Sequence, residues 1–196
     1  MADFWDKQAA RYESTPREQR FQEALDGARR WLGPDDVVLD VGCATGISTR
    51  ELAPHVARIR GIDTSAIMVR TAEEHGTDAW CTDIHDERLD DEAWTAMVVF
   101  NVLHLTDAEA VLARAADLLP VGGLLITQTP CLRAEPWWKR LFIAILTNRL
   151  GLRIRQHSPD GLRRAVERDF DVVAFDDAEN QSVWIVGRKA NRHRDA

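Results

Sequence analysis

"VLDVGCATG", residues 38–46, is the stretch on which the reading of this chain turns. Together with Val37 it opens as "VVLDV" (37–41), a continuous, β-branched apolar run of the kind buried on both faces of a parallel sheet. Gly42 and Gly46 then let the backbone turn sharply and approach a ligand without a Cβ in the way, and Ala44 between them is nearly as small. A helix from about Ile47 follows, so its first N–H groups point at whatever polar or anionic group the turn holds. The dinucleotide fingerprint G-x-G-x-x-G would need glycine at position 47, and Ile47 therefore argues against a nicotinamide dinucleotide and an oxidoreductase.

Outward from the turn the same alternation recurs. Residues 17–32 place Phe21, Leu25, Ala28 and Leu32 at helical spacing, and "GPDD" stops the pattern. Strands are predicted at 58–63, 78–84 and 122–129, and a further one at 96–105 runs into a loop. Helices are predicted at 65–75 with Ser65 as N-cap, at 107–119 with Asp107 as N-cap, and at 158–170 with Ser158 as N-cap and Pro159 in the first turn. Two last strands, near 171–176 and 182–188, leave no room for a helix between them and so form a hairpin. The fold class is α/β: a Rossmann-like, doubly wound sheet of about seven strands, mostly parallel with an antiparallel C-terminal strand, helices on both faces and ligands at the carboxyl ends of the strands. The expected organisation is a single domain over 1–196, with cap helices in 1–32 and a substrate-side insertion at 133–157.

Composition narrows the partners. The 196 residues are 45% apolar and 29% charged, as in soluble globular domains. Twenty-five Lys and Arg against 32 Asp and Glu leave a net charge of −7, the opposite of what gripping a phosphate backbone requires, so no nucleic-acid partner is expected. The basic run at 187–195 reads as a solvated end. Cys43, Cys81 and Cys131 fit neither a disulfide framework nor a zinc knuckle, which points to a reducing, cytoplasmic setting. The N-terminal "MADFWDKQAARYES" lacks the apolar core of a secretory signal, and no apolar run of about 18 residues is present to span a bilayer. No His/Asp/Glu spacing marks a metal site.

Asp40-x-Gly42-x-Ala44-x-Gly46 resembles motif I of the class I S-adenosylmethionine-dependent methyltransferases, with alanine in place of the usual middle glycine. Asp63 closes "RGID" about 20 residues further on, Asp83 follows in "CTDI", and "VVFNVLHL" (98–105) and "LLPVGGLLI" (118–126) resemble the fourth strand with its loop and the turn into the fifth. "FWDKQAARY" (4–12) and "TPCL" (129–132) resemble a bacterial branch acting on small molecules. The resemblance implies S-adenosyl-L-methionine as cofactor, seated on Tyr12, Asp40, Gly42, Ala44, Gly46, Asp63, Thr64, Met68, Asp83, Ile84 and Asn101. Asp63 would accept the ribose hydroxyls and Asp83 the adenine amino group, with Ile84 against the ring. Trp5, Trp137 and Trp138 would close over the acceptor. Thr95 departs from the acidic residue that this branch commonly has before the fourth strand.

The implied reaction is methyl transfer to a small-molecule acceptor, with an apolar one suited to the insertion; the alternative is a non-catalytic S-adenosylmethionine-binding sensor or interaction protein. His104 reads either as a general base or as a packing residue, since displacement at an activated sulfonium can proceed by positioning and desolvation alone. "PWWKRLFIAILTNRLG" (136–151) is apolar on one helical face and reads as a lid, as core, or as a weak membrane-surface contact. A monomer and a homodimer are both compatible with the sequence.

Overall fold

The computed structural model describes residues 5, 6, 12, 19–131, 154, 155, 157–177 and 182–191. Their strands are β1 (Val37–Val41), β2 (Arg58–Asp63), β3 (Ala79–Cys81), β4 (Ala96–Phe100), β5 (Leu124–Pro130), β6 (Phe170–Asp176) and β7 (Ser182–Lys189). The helices are α1 (Gln19–Arg29), α2 (Ile47–Leu52), α3 (Ala66–Glu74), α4 (Ala108–Leu118) and α5 (Pro159–Val166). One seven-stranded sheet runs in the order β3-β2-β1-β4-β5-β7-β6. The first five strands are parallel, and β7 lies antiparallel between β5 and β6, so the C-terminal hairpin inserts its second strand into the sheet.

β1 is central because it is apolar on both faces. Leu39 and Val41 join a cluster with Met97, Leu125 and the α4 residues Leu112 and Ala115, while Val38 joins the opposite cluster with Ala96, Val98 and α1. The helical spacing read for α1 holds: Leu25 and Ala28 are fully buried, and Phe21 meets Phe100 edge-on, while Trp184 stacks on Phe100. Each fully buried Leu contributes roughly 2 kcal/mol of apolar transfer. Ser65, Asp107 and Ser158 cap α3, α4 and α5 through their side chains, as expected.

Two of the element boundaries that differ from the sequence reading have a cause in side-chain contacts. β3 ends at Cys81 instead of reaching residue 84, because Thr82 and Asp83 turn the chain: Thr82 Oγ1 donates to Asp86 at 2.5 Å and His85 N–H donates to Asp83 Oδ1 at 2.7 Å. α5 stops at Val166, short of residue 170, because Phe170 is fully buried as the first residue of β6. Thr95 meets the strand entry without an acid: its hydroxyl donates to Asp36 at 2.6 Å and accepts from Val37 N–H at 3.0 Å. The expected insertion at 133–157, with Trp137 and Trp138, lies outside the described residues apart from 154, 155 and 157.

Asp40 fastens α2 to β1. Its buried carboxylate accepts, on one oxygen, from Ser48 Oγ and Thr49 Oγ1 at 2.6 Å each. Burial raises its pKa from 3.8 to about 6, and the two hydroxyls, which favour the charged form, do not cancel that effect. Because the folded value lies above the unfolded one, Asp40 contributes stability that is complete below about pH 4 and lost as pH rises through about 6. Between pH 4 and 7 the wild type should therefore lose roughly 3 kcal/mol of stability relative to Asp40→Asn, read by urea denaturation at each pH. Parallel stability curves for the two proteins would contradict this.

Candidate functional site

A cavity of about 460 Å³ opens at the carboxyl ends of β1, β2 and β4 and reaches Pro130 at the end of β5. It sits at the topological switch point, where the chain leaves β1 toward β2 on one side while β4 lies on the other. Trp5, Tyr12, Gly42, Ala44, Asp63, Thr64, Met68, Asp83, Ile84, Asn101 and His104 all line it. Asp40 and Gly46 do not: Asp40 lies beneath the turn, and Gly46 starts α2 with its Hα face against Thr77 and Ala72. Trp137 and Trp138 lie outside the described residues.

The floor is the turn after β1. Gly42 (φ 74°), Ala44 (φ 48°) and Gly46 (φ 79°) all adopt the left-handed conformation. Gly42 and Cys43 donate their N–H groups to Ile62 O at 2.8 and 3.0 Å, and a Cβ at residue 42 would overlap Val102 Cγ2. Ala44 is the strained member, since a side chain in this region costs about 1–2 kcal/mol. Asp63 holds it there: Oδ2 accepts from Ala44 N–H at 3.0 Å and Oδ1 from Ser65 N–H at 2.9 Å. Burial pushes the Asp63 carboxyl up from its ordinary value, and these N–H groups hold it back. Each carboxylate oxygen has more than one acceptor position, so a ligand hydroxyl can still reach both.

The second wall is the loop after β3. Asp83 is exposed and ordered by the His85 N–H, and Ile84 is buried beside it. Arg114, on α4, clamps this loop: its Nε donates to Ile84 O at 3.2 Å and its two terminal nitrogens pair with Asp90 at 2.8 Å each. Sequence reasoning missed Arg114, because a single arginine on a helix carries no mark of a partner 24 residues earlier.

The third wall starts at Asn101, left-handed at φ 58°, a conformation asparagine tolerates better than most residues. Its N–H donates to Gln128 O at 2.8 Å, ending β4 and sending residues 102–107 across the mouth of the cavity. His104 stands in this loop with Nδ1 buried and unpartnered. Burial, and then the neighbouring His157, lower its pKa to about 4. The chain returns to the same loop after residue 153: Arg155 N–H donates to His104 O at 2.7 Å, and Arg155 Nη1 pairs with Asp107 at 3.1 Å. Over the opening, Trp5 and Tyr12 meet edge to face, their ring centroids 6.5 Å apart.

Residues 38–123 match the family model described as a methyltransferase domain. The matched stretch runs from β1 through α4. It is similar to a ubiquinone biosynthesis O-methyltransferase of Bradyrhizobium sp. (strain ORS 278), 30% identical over 119 residues that make up 56% of this chain and 44% of that protein. It is also similar to a trans-aconitate 2-methyltransferase of Afipia carboxidovorans, 37% identical over 101 residues, 47% of this chain and 38% of that one. The chain thus spans less than half the length of these curated relatives in the matched region. The solved structure of DhpI in complex with SAH superposes with a TM-score of 0.70 at 20% identity, covering 97% of this chain and 96% of that one.

No three His, Cys, Asp or Glu side chains among the described residues are grouped to hold a metal ion. No helix among them is long and apolar enough to cross a membrane.

Gly42→Ala should destabilise the domain by more than about 2 kcal/mol, since the new methyl group meets Val102 in a backbone conformation that disfavours any side chain. Adding Val102→Ala should restore part of the loss in thermal unfolding, because it relieves the overlap and leaves the backbone strain. His104, held neutral by its surroundings, should keep a constant imidazole proton NMR shift from pH 8 to pH 5 and move only near pH 4. An inflection near 6.5, assigned by its absence from His104→Gln, would contradict the buried placement.

Proposed function

We propose that the chain transfers a methyl group from S-adenosylmethionine to a small-molecule acceptor. The observation that carries this reading is the arrangement of one cavity. A left-handed turn at 42–44 lies beside Asp63, with Asp83 and Ile84 in the loop after β3 and Asn101 at the end of β4. The chemistry of this set fits the cofactor. Asp63 keeps acceptor capacity for two vicinal hydroxyls, Asp83 is an exposed carboxylate able to accept from an amino group, and Ile84 and Met68 offer apolar surface for a flat ring and a ribose. The turn, free of side chains at Gly42 and small at Ala44, suits the aminoacyl end, and Thr64, Asn101 and Tyr12 complete the enclosure. Asp40 and Gly46 support the seat by shaping the turn.

When bound, S-adenosylmethionine supplies an activated sulfonium methyl group, which a nucleophile on the acceptor displaces in line. The chain's own part is to position and to exclude water. Trp5, Tyr12 and the 101–107 loop narrow the opening. His104 serves there as a neutral imidazole. Protonating it would bury a cation beside His157 with Nδ1 unpartnered, so it is better suited to hydrogen-bonding the acceptor than to taking its proton. The small-molecule acceptor class is supported by the named activities of the two curated relatives, one a quinone-pathway O-methyltransferase and the other acting on trans-aconitate.

Calorimetric titration with S-adenosylhomocysteine tests the cofactor, and transfer of a labelled methyl group into low-molecular-mass acceptors tests the reaction. Asp63→Ala should weaken S-adenosylhomocysteine binding by about 1–3 kcal/mol while circular dichroism shows the variant folded. Unchanged affinity would remove Asp63 from the ribose position.

A further inference from the structure

Arg114 does not line the cavity, yet it is joined to residues that do. It lies three and four positions beyond Val111 and Ala110, and so on the face of α4 that forms the cavity wall, one turn further along. From there its half-buried side chain spans two fixed points. The terminal nitrogens pair with both oxygens of Asp90 at 2.8 Å, in a turn anchored by the buried Leu89 and by Trp94, whose indole N–H donates to Leu89 O at 2.9 Å. The Nε donates to Ile84 O at 3.2 Å. The peptide unit carrying that carbonyl, between Ile84 and His85, is planar, and at its other edge the His85 N–H donates to Asp83 Oδ1 at 2.7 Å. One rigid plane is therefore held by Arg114 on one side and orients the Asp83 carboxylate on the other.

We propose that Arg114 is a positioning residue that gives the site its preference for adenine over a 6-oxopurine. This rests on the cavity being the S-adenosylmethionine seat, with Asp83 accepting from the exocyclic amino group. With Oδ1 taken by the His85 N–H, Oδ2 is the acceptor for that amino group. A 6-oxopurine would set its own oxygen against the carboxylate, two acceptors with no proton between them. An exposed carboxylate able to swing would lose this distinction, because water can stand between it and either purine. Arg114 removes that freedom by fixing the peptide plane on which Asp83 is oriented. Its planar fork holds Asp90 and Ile84 O together, whereas a lysine ammonium would keep a charge opposite Asp90 without the fork.

The experiment is calorimetric titration of wild type, Arg114→Ala, Arg114→Lys and Asp83→Ala with S-adenosylhomocysteine and with its deaminated counterpart, S-inosylhomocysteine. Wild type should prefer the adenine ligand by about tenfold or more. Arg114→Ala should bring that preference to within about threefold by weakening the adenine ligand alone. Arg114→Lys should do the same, and its retained charge opposite Asp90 keeps the test open should the alanine variant fail to fold. Asp83→Ala should lose the preference as well. Equal weakening of both ligands in the Arg114 variants, with the wild-type preference kept, overturns the inference: Arg114 would then only stabilise the loop, and the cofactor reading would stand. An Asp83→Ala variant with the wild-type preference overturns it too, because Arg114 would not then act through Asp83. A wild-type protein that does not bind S-adenosylhomocysteine overturns the cofactor reading and this inference with it.

Discussion

The structure depends on holding three left-handed residues within five positions, 42 to 46, at the end of its central strand. Such a turn does not hold itself: its N–H groups need acceptors, Ala44 resists its own conformation, and the loop after β4 sets Val102 against Gly42. Two aspartates take up that constraint from different sides. Asp40, below, ties the following helix to the strand through two hydroxyls, and Asp63, beside, takes the N–H of Ala44. The ends of β1 and β2 are thereby locked together, and the cavity inherits a floor whose shape does not rely on a ligand.

Much of this was legible in the chain because the sheet is buried. β1, β4 and β5 read as apolar runs bounded by turn residues, and the three helix caps at Ser65, Asp107 and Ser158 lie where side-chain chemistry alone would put them. What was illegible depended on side chains competing with the backbone. The shortening of β3 came from hydrogen bonds of Thr82, Asp83 and Asp86, and a run of acids and threonines does not reveal which of them turns inward. Most residues read as site residues reach the cavity because strand ends converge there by topology. Arg114 and Asp6 were not read at all, since each acts through a partner far away in sequence.

The two aspartates also show where a motif under-describes its residues. Asp40 reads as a binding residue by its place in the pattern, yet it is buried away from the cavity and satisfied by hydroxyls, so its chemistry is structural. Asp63 has both tasks at once, holding Ala44 and facing the cavity with the same carboxylate. Losing it would therefore remove an acceptor from the cavity and free the turn to relax.

A glycine at position 44 would adopt φ 48° without strain and need Asp63 less. Alanine there makes the hydrogen bond from Ala44 N–H to Asp63 the element that keeps the turn in its left-handed form. In this chain, then, the carboxylate proposed to take the ribose hydroxyls also sets the shape of the turn proposed to seat the aminoacyl end. Ser65, held by the other oxygen of Asp63 and bonded in turn to Asp6, extends the same connection to the residue after Trp5. Ala44, Asp63, Ser65 and Asp6 thus form one hydrogen-bonded line at the edge of the cavity.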